Sequence, residues 1–180
     1  MLAQILKSIV PAMHACTEGE ANNLGIFFNE FFAMIHEWSK DEVWASQCEG
    51  YAGFSRTVGS SNQSIKLSEF CRITLMIQKT FTQNLSRCLE LDCVVQSPLR
   101  AQCALKVLNR MLAQYPTKYK VGILVQKNLQ VLVDNKSKIE QGLHSLATAI
   151  KDKLQRKLDT LPDKPAEEAP TAAPVLAPPK

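Results

Sequence analysis

No stretch of this chain comes near the roughly 18 consecutive apolar residues that cross a bilayer, so no membrane partner is expected. Chemistry-bearing motifs are missing as well. None of its seven glycines sits in a phosphate-cradling loop, and neither a Gly-x-Ser-x-Gly elbow nor a His-Glu-x-x-His pair is present. Nucleotide hydrolysis, serine-esterase chemistry and zinc-protease chemistry therefore lack their minimal residues. Histidine is scarce: His14, His36 and His144 are scattered, with nothing in the sequence to orient any of them. Cys48 and His36 lie on different elements and have no third group to complete a thiol–base pair. The six cysteines include no pair at two-residue spacing, and Cys88 and Cys93 have no neighbouring histidine to make up four ligands. Cys71, Cys88 and Cys103 fall in or beside helical apolar faces, where a reduced thiol behaves as a small hydrophobe. The expectation is a non-enzymatic chain with reduced cysteines, no metal, no cofactor and no small-molecule substrate. Lys7, Pro11 and His14 interrupt the only apolar run at the N-terminus, which reads against a secretory signal and for an intracellular protein.

What the chain does have is amphipathic helix. With 46% hydrophobic and 21% charged residues it has the composition of a folded globular protein. Leu67, Phe70, Thr74, Ile77, Phe81, Leu85 and Cys88 recur at steps of three and four, which gathers them on one helical face. Ser97-Pro98 then reads as an N-cap followed by proline at the first helical position. Ala101, Ala104, Leu105, Leu108, Met111, Leu112 and Tyr115 repeat the spacing up to Pro116. The two helices are expected to pack as an antiparallel hairpin that organises the rest. Before them, Met1 to Cys16 reads as a short helix shortened by Pro11, and Thr17 to Glu20 as a capping box. The helix that follows runs to Trp38 and carries Phe27, Phe28, Phe31 and Phe32, an aromatic density suited to a core or an interface. Asp41 is read as the cap of a short helix through Cys48. Tyr51, Gly53 and Phe54 form a turn that tucks one ring inward, and Ser55 to Ser64 is an exposed loop.

Beyond Pro116, Val125, Leu129, Leu132, Ile139, Leu143, Leu146, Ile150, Leu154 and Leu158 keep one helical period. Such an element either breaks near Asp134-Asn135 or projects as a single arm. From Leu161 onward the composition turns to proline, alanine and glutamate, which cannot bury enough apolar surface to offset ordering. The domain reading is a helical body over residues 1–160 and a disordered tail over 161–180.

Charge is unevenly spread. Residues 1–54 carry two basic and seven acidic side chains, net −5, whereas residues 100–158 carry twelve basic and three acidic, net +9. Two different partners are implied, one of them a candidate polyanion. Lys127, Lys136, Lys138, Lys151, Lys153, Arg156 and Lys157 lie along the polar side of the last helical pattern. They read either as the solvated face of an exposed helix or as a nucleic-acid contact. Because no aromatic side chain is interleaved with them, contact with RNA or DNA would be to the backbone.

At Trp38-Ser39-Lys40-Asp41, continued by Cys48-Glu49-Gly50-Tyr51-Ala52-Gly53-Phe54, the sequence resembles a segment of the THO complex subunit 2 family. The likeness runs on through the helix from Leu67 to Cys88-Leu89, then Leu108-Asn109-Arg110-Met111-Leu112, and the Tyr115-Pro116 stop. It covers about residues 30–150. Ser39 and Ala52 depart from the family's usual histidine and proline. The resemblance implies an armadillo-like scaffold without catalytic activity, in a nuclear complex that couples transcription to packaging and export of messenger RNA. Its partners would be the other subunits of that complex. Trp38, Asp41, Cys48, Gly53 and Phe54 carry over as structural turn residues only.

The combined expectation is an all-α antiparallel stack, an armadillo/HEAT-like solenoid segment with a long C-terminal helix. Phe27, Phe28, Phe31 and Phe32 are expected as an exposed partner-binding patch, and the seven basic residues as a nucleic-acid-binding face. A self-contained helical nucleic-acid-binding domain is the rival reading.

Overall fold

The computed structural model describes residues 8–55 and 64–164. They form seven α-helices: α1 (Glu18–Trp38), α2 (Asp41–Gln47), α3 (Leu67–Leu89), α4 (Leu91–Gln96), α5 (Pro98–Met111), α6 (Tyr119–Asp134) and α7 (Gln141–Thr160). Short 3-10 turns at Val10–His14, Ala52–Phe54 and Lys136–Lys138 join them. Among the described residues the only β-type pairing is one isolated antiparallel bridge, Ser55 to Ser64. The all-α expectation is met.

Local signals mark the starts of α1 and α5. Thr17 accepts from the Glu20 amide while the Glu20 carboxylate accepts from the Thr17 amide at 2.8 Å, so two otherwise orphaned N–H groups at the start of α1 are satisfied together. Ser97 is the N-cap position of α5 and Pro98 its first residue, although the Ser97 hydroxyl makes no cap bond. Asp41 is not a cap: Lys40 holds that position and Asp41 opens α2, where its charge favours the positive helix end.

Helix α5 is the centre of the stack. Ala101, Cys103, Ala104, Leu105, Val107, Leu108 and Met111 are all buried, which leaves it almost no solvent face. It packs most extensively on α1, and also on α3, α4, α7 and the first turn. The expected α3–α5 hairpin is therefore corrected: those helices touch, but α4 fills the connection and α1 is the main neighbour of α5. Gly25 makes that crossing possible, since a Cβ there would lie 2.7 Å from Arg110 Cβ and 3.3 Å from Val107 Cα. Glu18 pairs with Lys106, and Arg110 Nε donates to Asn22 Oδ1 at 2.8 Å along the same seam. Helices distant in sequence thus meet around one central element.

Of the two expected forms of the last helical pattern, the break near Asp134-Asn135 is the one found, and the single projecting arm is not. The chain breaks at Asn135, turns through Lys136–Lys138, and returns as α7 against α6. Asn and Ser near the break are weak helix formers, and burying both apolar stripes on each other outweighs continuing one rod. Gly122 lets α6 approach Leu158 of α7 and Pro116 closely. In the described part of the N-terminal segment, residues 8–9 are helical and the chain tightens to a 3-10 turn over Val10–His14, where Pro11 removes a donor, so the helical stretch ends before Cys16.

Two aromatic clusters fill the core. Phe28, Phe32, Phe81 and Tyr115 meet with ring centroids 5.0 to 5.9 Å apart. Trp38, Trp44, Phe54 and Phe70 form the other, at 5.0 to 6.4 Å. The folded body passes the expected boundary at residue 160. Leu161 packs on the core, and the Asp163 carboxylate accepts from the Tyr119 amide at 3.0 Å, capping α6. The rest of the expected tail, most of the expected loop and the first seven residues lie outside the described residues.

Candidate interaction surfaces

The seven basic side chains do not form one face. Lys151 Nζ donates to Gln130 Oε1 of α6 at 3.0 Å, while Lys153 Nζ donates to Asn109 Oδ1 of α5 at 2.9 Å, on another side of α7. Lys157 is half-buried and donates to Leu112 O at 2.7 Å and Ala113 O at 2.9 Å. It satisfies carbonyls left over at the end of α5, a C-terminal role for a cation. Burial pulls its ammonium down to about 8. Lys127, Lys136, Lys138 and Arg156 are exposed.

The phenylalanine patch is corrected at three of its four positions. Phe28, Phe31 and Phe32 are buried, because they face α3, α5 and the Tyr115 ring. Phe27 is 40% exposed, and Ile26 and Met34 on the same helix are exposed with it. Phe27 stacks on Phe31 with centroids 6.0 Å apart and borders an apolar groove with Ala12, Ala15 and Leu24.

The carried-over turn residues sit together for packing. Trp38 meets Phe54 edge-on at 5.2 Å, Cys48 is fully buried, and Gly53 is open on its side-chain face. Phe54 is the ring that turns inward, whereas Tyr51 is exposed.

Thiols and polar groups within the body are engaged structurally. All six cysteines are free. Cys48 is buried and His36 exposed. Sequence reading missed that Cys88 Sγ lies 3.3 Å from His14 Nδ1, 74 residues away. Burial, reinforced by nearby Cys93, pushes the Cys88 thiol up to about 12, which leaves it protonated and a poor nucleophile. Arg100 ties the region together, its Nε donating to His14 O at 3.1 Å. Gln78 and Thr82, polar positions beside the α3 stripe, were missed too. Thr82 Oγ1 donates to Gln78 O at 2.7 Å, so the Tyr115 hydroxyl, 2.5 Å away, is the donor to Thr82. Gln78 clasps Thr117, donating to its hydroxyl at 2.6 Å and accepting from its amide at 3.2 Å. Among the described residues no group of three or more His, Cys, Asp or Glu side chains is placed to hold a metal ion. No described helix is long and apolar enough to cross a membrane.

A cavity of about 440 Å³ opens between α1, α3, the 113–118 turn and the end of α7. Phe32, Ile35 and Leu75 supply apolar wall, and Lys157 lines its polar side.

These features define an all-α domain in which Gln78, Thr82 and Tyr115 tie elements together, with one cavity and the exposed surfaces as its remaining features. The chain belongs to the family described as transcription factor/nuclear export subunit protein 2 (Tho2), whose model matches residues 1–154. It is similar to a protein named THO complex subunit 2 from Arabidopsis thaliana, at 26% identity over 148 residues, 81% of this chain. The chain spans 8% of that relative's length. No solved structure matches it.

Proposed function

We propose that the chain is a non-enzymatic scaffold segment of a nuclear THO-type complex that couples transcription to packaging and export of messenger RNA. The observation that carries this reading is the family match over residues 1–154. In this reading the stack continues into a longer armadillo- or HEAT-like arrangement. Other subunits of the complex are its partners, with the exposed α1 edge at Ile26, Phe27 and Met34 as one contact surface. Affinity purification of the tagged chain from nuclear extract tests it. Recovery of RNA-processing factors is the expected result, and their absence would remove the scaffold assignment.

The exposure of Lys127, Lys136, Lys138 and Arg156, which make no ion pair among the described residues, favours a second activity, backbone-directed nucleic-acid binding. Each phosphate contact to a single strand contributes about 0.7 to the slope of log affinity against log salt. Changing the four residues to glutamate is expected to flatten that slope for a poly-U oligonucleotide. An unchanged slope would take these residues out of any such contact, and binding of nucleic acid without recovered factors would favour the self-contained domain.

A further inference from the structure

The cavity between α1, α3 and the 113–118 turn has a chemical bias that its packing role does not explain. No Asp or Glu lines it, while Lys157 and Lys118 do. Two of the three N–H groups of the Lys157 ammonium serve Leu112 O and Ala113 O, which leaves one for another acceptor. Thr74, also in the lining, has a buried hydroxyl oxygen with no hydrogen-bond partner. Other helical threonines here bond back one turn, Thr82 to Gln78 O and Thr148 to His144 O. An unmet buried hydroxyl is costly and rare.

We propose that this cavity is the docking site for a peptide segment of a protein partner in which an aliphatic side chain stands next to a carboxylate. The aliphatic group enters between Phe32, Ile35 and Leu75. The carboxylate accepts from the remaining N–H of the Lys157 ammonium, and the exposed Lys118 in the lining adds attraction. Charge-assisted bonds of this kind are strongest where water is thinned out, as on this half-enclosed apolar wall. Charge complementarity names the partner's sign, and the apolar recess favours a peptide over a nucleic-acid backbone, which brings charge but no aliphatic group. The site deepens the scaffold reading and rests on it.

The test uses the full chain and fluorescein-labelled nonapeptides with Asp-Leu-Glu at the centre of a Gly/Ser background. Two controls replace the centre with Asn-Leu-Gln or Asp-Ala-Glu. Anisotropy titration is expected to show the acidic leucine peptide binding at least tenfold more tightly than either control. Lys118→Glu should weaken it at least fivefold and Leu75→Glu should abolish it, with circular dichroism showing both variants folded. Methyl NMR shifts should centre on Leu75 and Ile35. Equal binding of the amide control, shifts confined to another surface, displacement by poly-U alone, or no binding by any peptide at millimolar concentration each overturns the assignment. If RNA-processing factors co-purify with the chain while the peptides fail, the cavity proposal falls and the scaffold reading stands; if no factors co-purify, the scaffold reading falls first.

Discussion

Lys157 and Lys127 look alike in sequence, two lysines on the polar side of one apolar period. In the fold they differ in kind. Lys157 closes the end of α5 through Leu112 O and Ala113 O, whereas Lys127 stands in solvent. Lys157→Glu would set a carboxylate against those two carbonyls, and a loss of about 1–3 kcal/mol is expected from the broken and repelled groups. Lys127→Glu should change stability by less than about 0.5 kcal/mol. Urea unfolding of both variants checks the contrast; equal effects would mean the capping contact carries no stability. Gly25 gives a second residue-scale outcome. Alanine there gains about 0.5–1 kcal/mol of helix preference, yet its Cβ would press on Arg110 Cβ at 2.7 Å and on the α5 backbone. Overpacking costs about 1–3 kcal/mol, so Gly25→Ala should destabilise, by the same measurement. A stabilised variant would mean that α1 and α5 can separate without loss.

At the scale of elements, the sequence was most informative where a signal is local. Thr17 with Glu20, the stripe from Leu67 to Cys88, and Ser97-Pro98 each mark a feature within a few residues of itself, and the helices begin where those marks stand. What was hidden depends on residues far apart. Nothing near Gly25 says that its missing side chain faces Arg110, and nothing near Asn135 says that α7 returns onto α6. The engagement of Lys151 with α6 and of Lys153 and Lys157 with the end of α5 was hidden for the same reason, since each partner lies more than 20 residues away. Phe28, Phe31 and Phe32 were legible as aromatic density but not as core, because a stripe reports an apolar partner without saying whether it lies inside the chain. The capping box carries its own expectation. Thr17→Ala should cost about 1 kcal/mol. Hydrogen bonds from Thr17 hold the Glu20 carboxyl below its usual range. A carboxyl lowered on folding adds stability above its unfolded value, and that addition is lost as pH falls through the folded one. Stability should therefore decline less steeply below about pH 4.5 in Thr17→Ala than in the parent. Parallel acid profiles would mean that the backbone N–H of residue 17, which the substitution keeps, and not the hydroxyl, holds the carboxylate down.

For the molecule as a whole, the interior sets how the fold responds to alkali. Burial pushes Cys88 up to about 12 and Cys103 up to about 11 from 9.0. Burial also raises the Tyr115 phenol, against the pull of its bond to Thr82. These three groups keep their protons in the fold at a pH where the unfolded chain has released them, so the two thiols favour unfolding as pH rises above about 9 and the phenol above about 10. Lys157 works the other way. Its ammonium gives up a proton near 8 in the fold and near 10.5 when unfolded, so its share of stability increases across that interval. From pH 8 to 9 Lys157 outweighs the thiols, which only begin to ionise in the unfolded chain, and stability should hold or rise slightly. Above 9 the two thiols outweigh it, Tyr115 joins them above about 10, and stability should fall with increasing slope. Guanidinium unfolding at pH 8, 9, 10 and 10.5 would show this profile, and the paired variant Cys88→Ala/Cys103→Ala should flatten the upper limb while losing stability at every pH through its cavities. A parent chain equally stable at pH 8 and 10.5, or a paired variant with the parent's slope, would place the alkaline sensitivity outside the core that α5 organises.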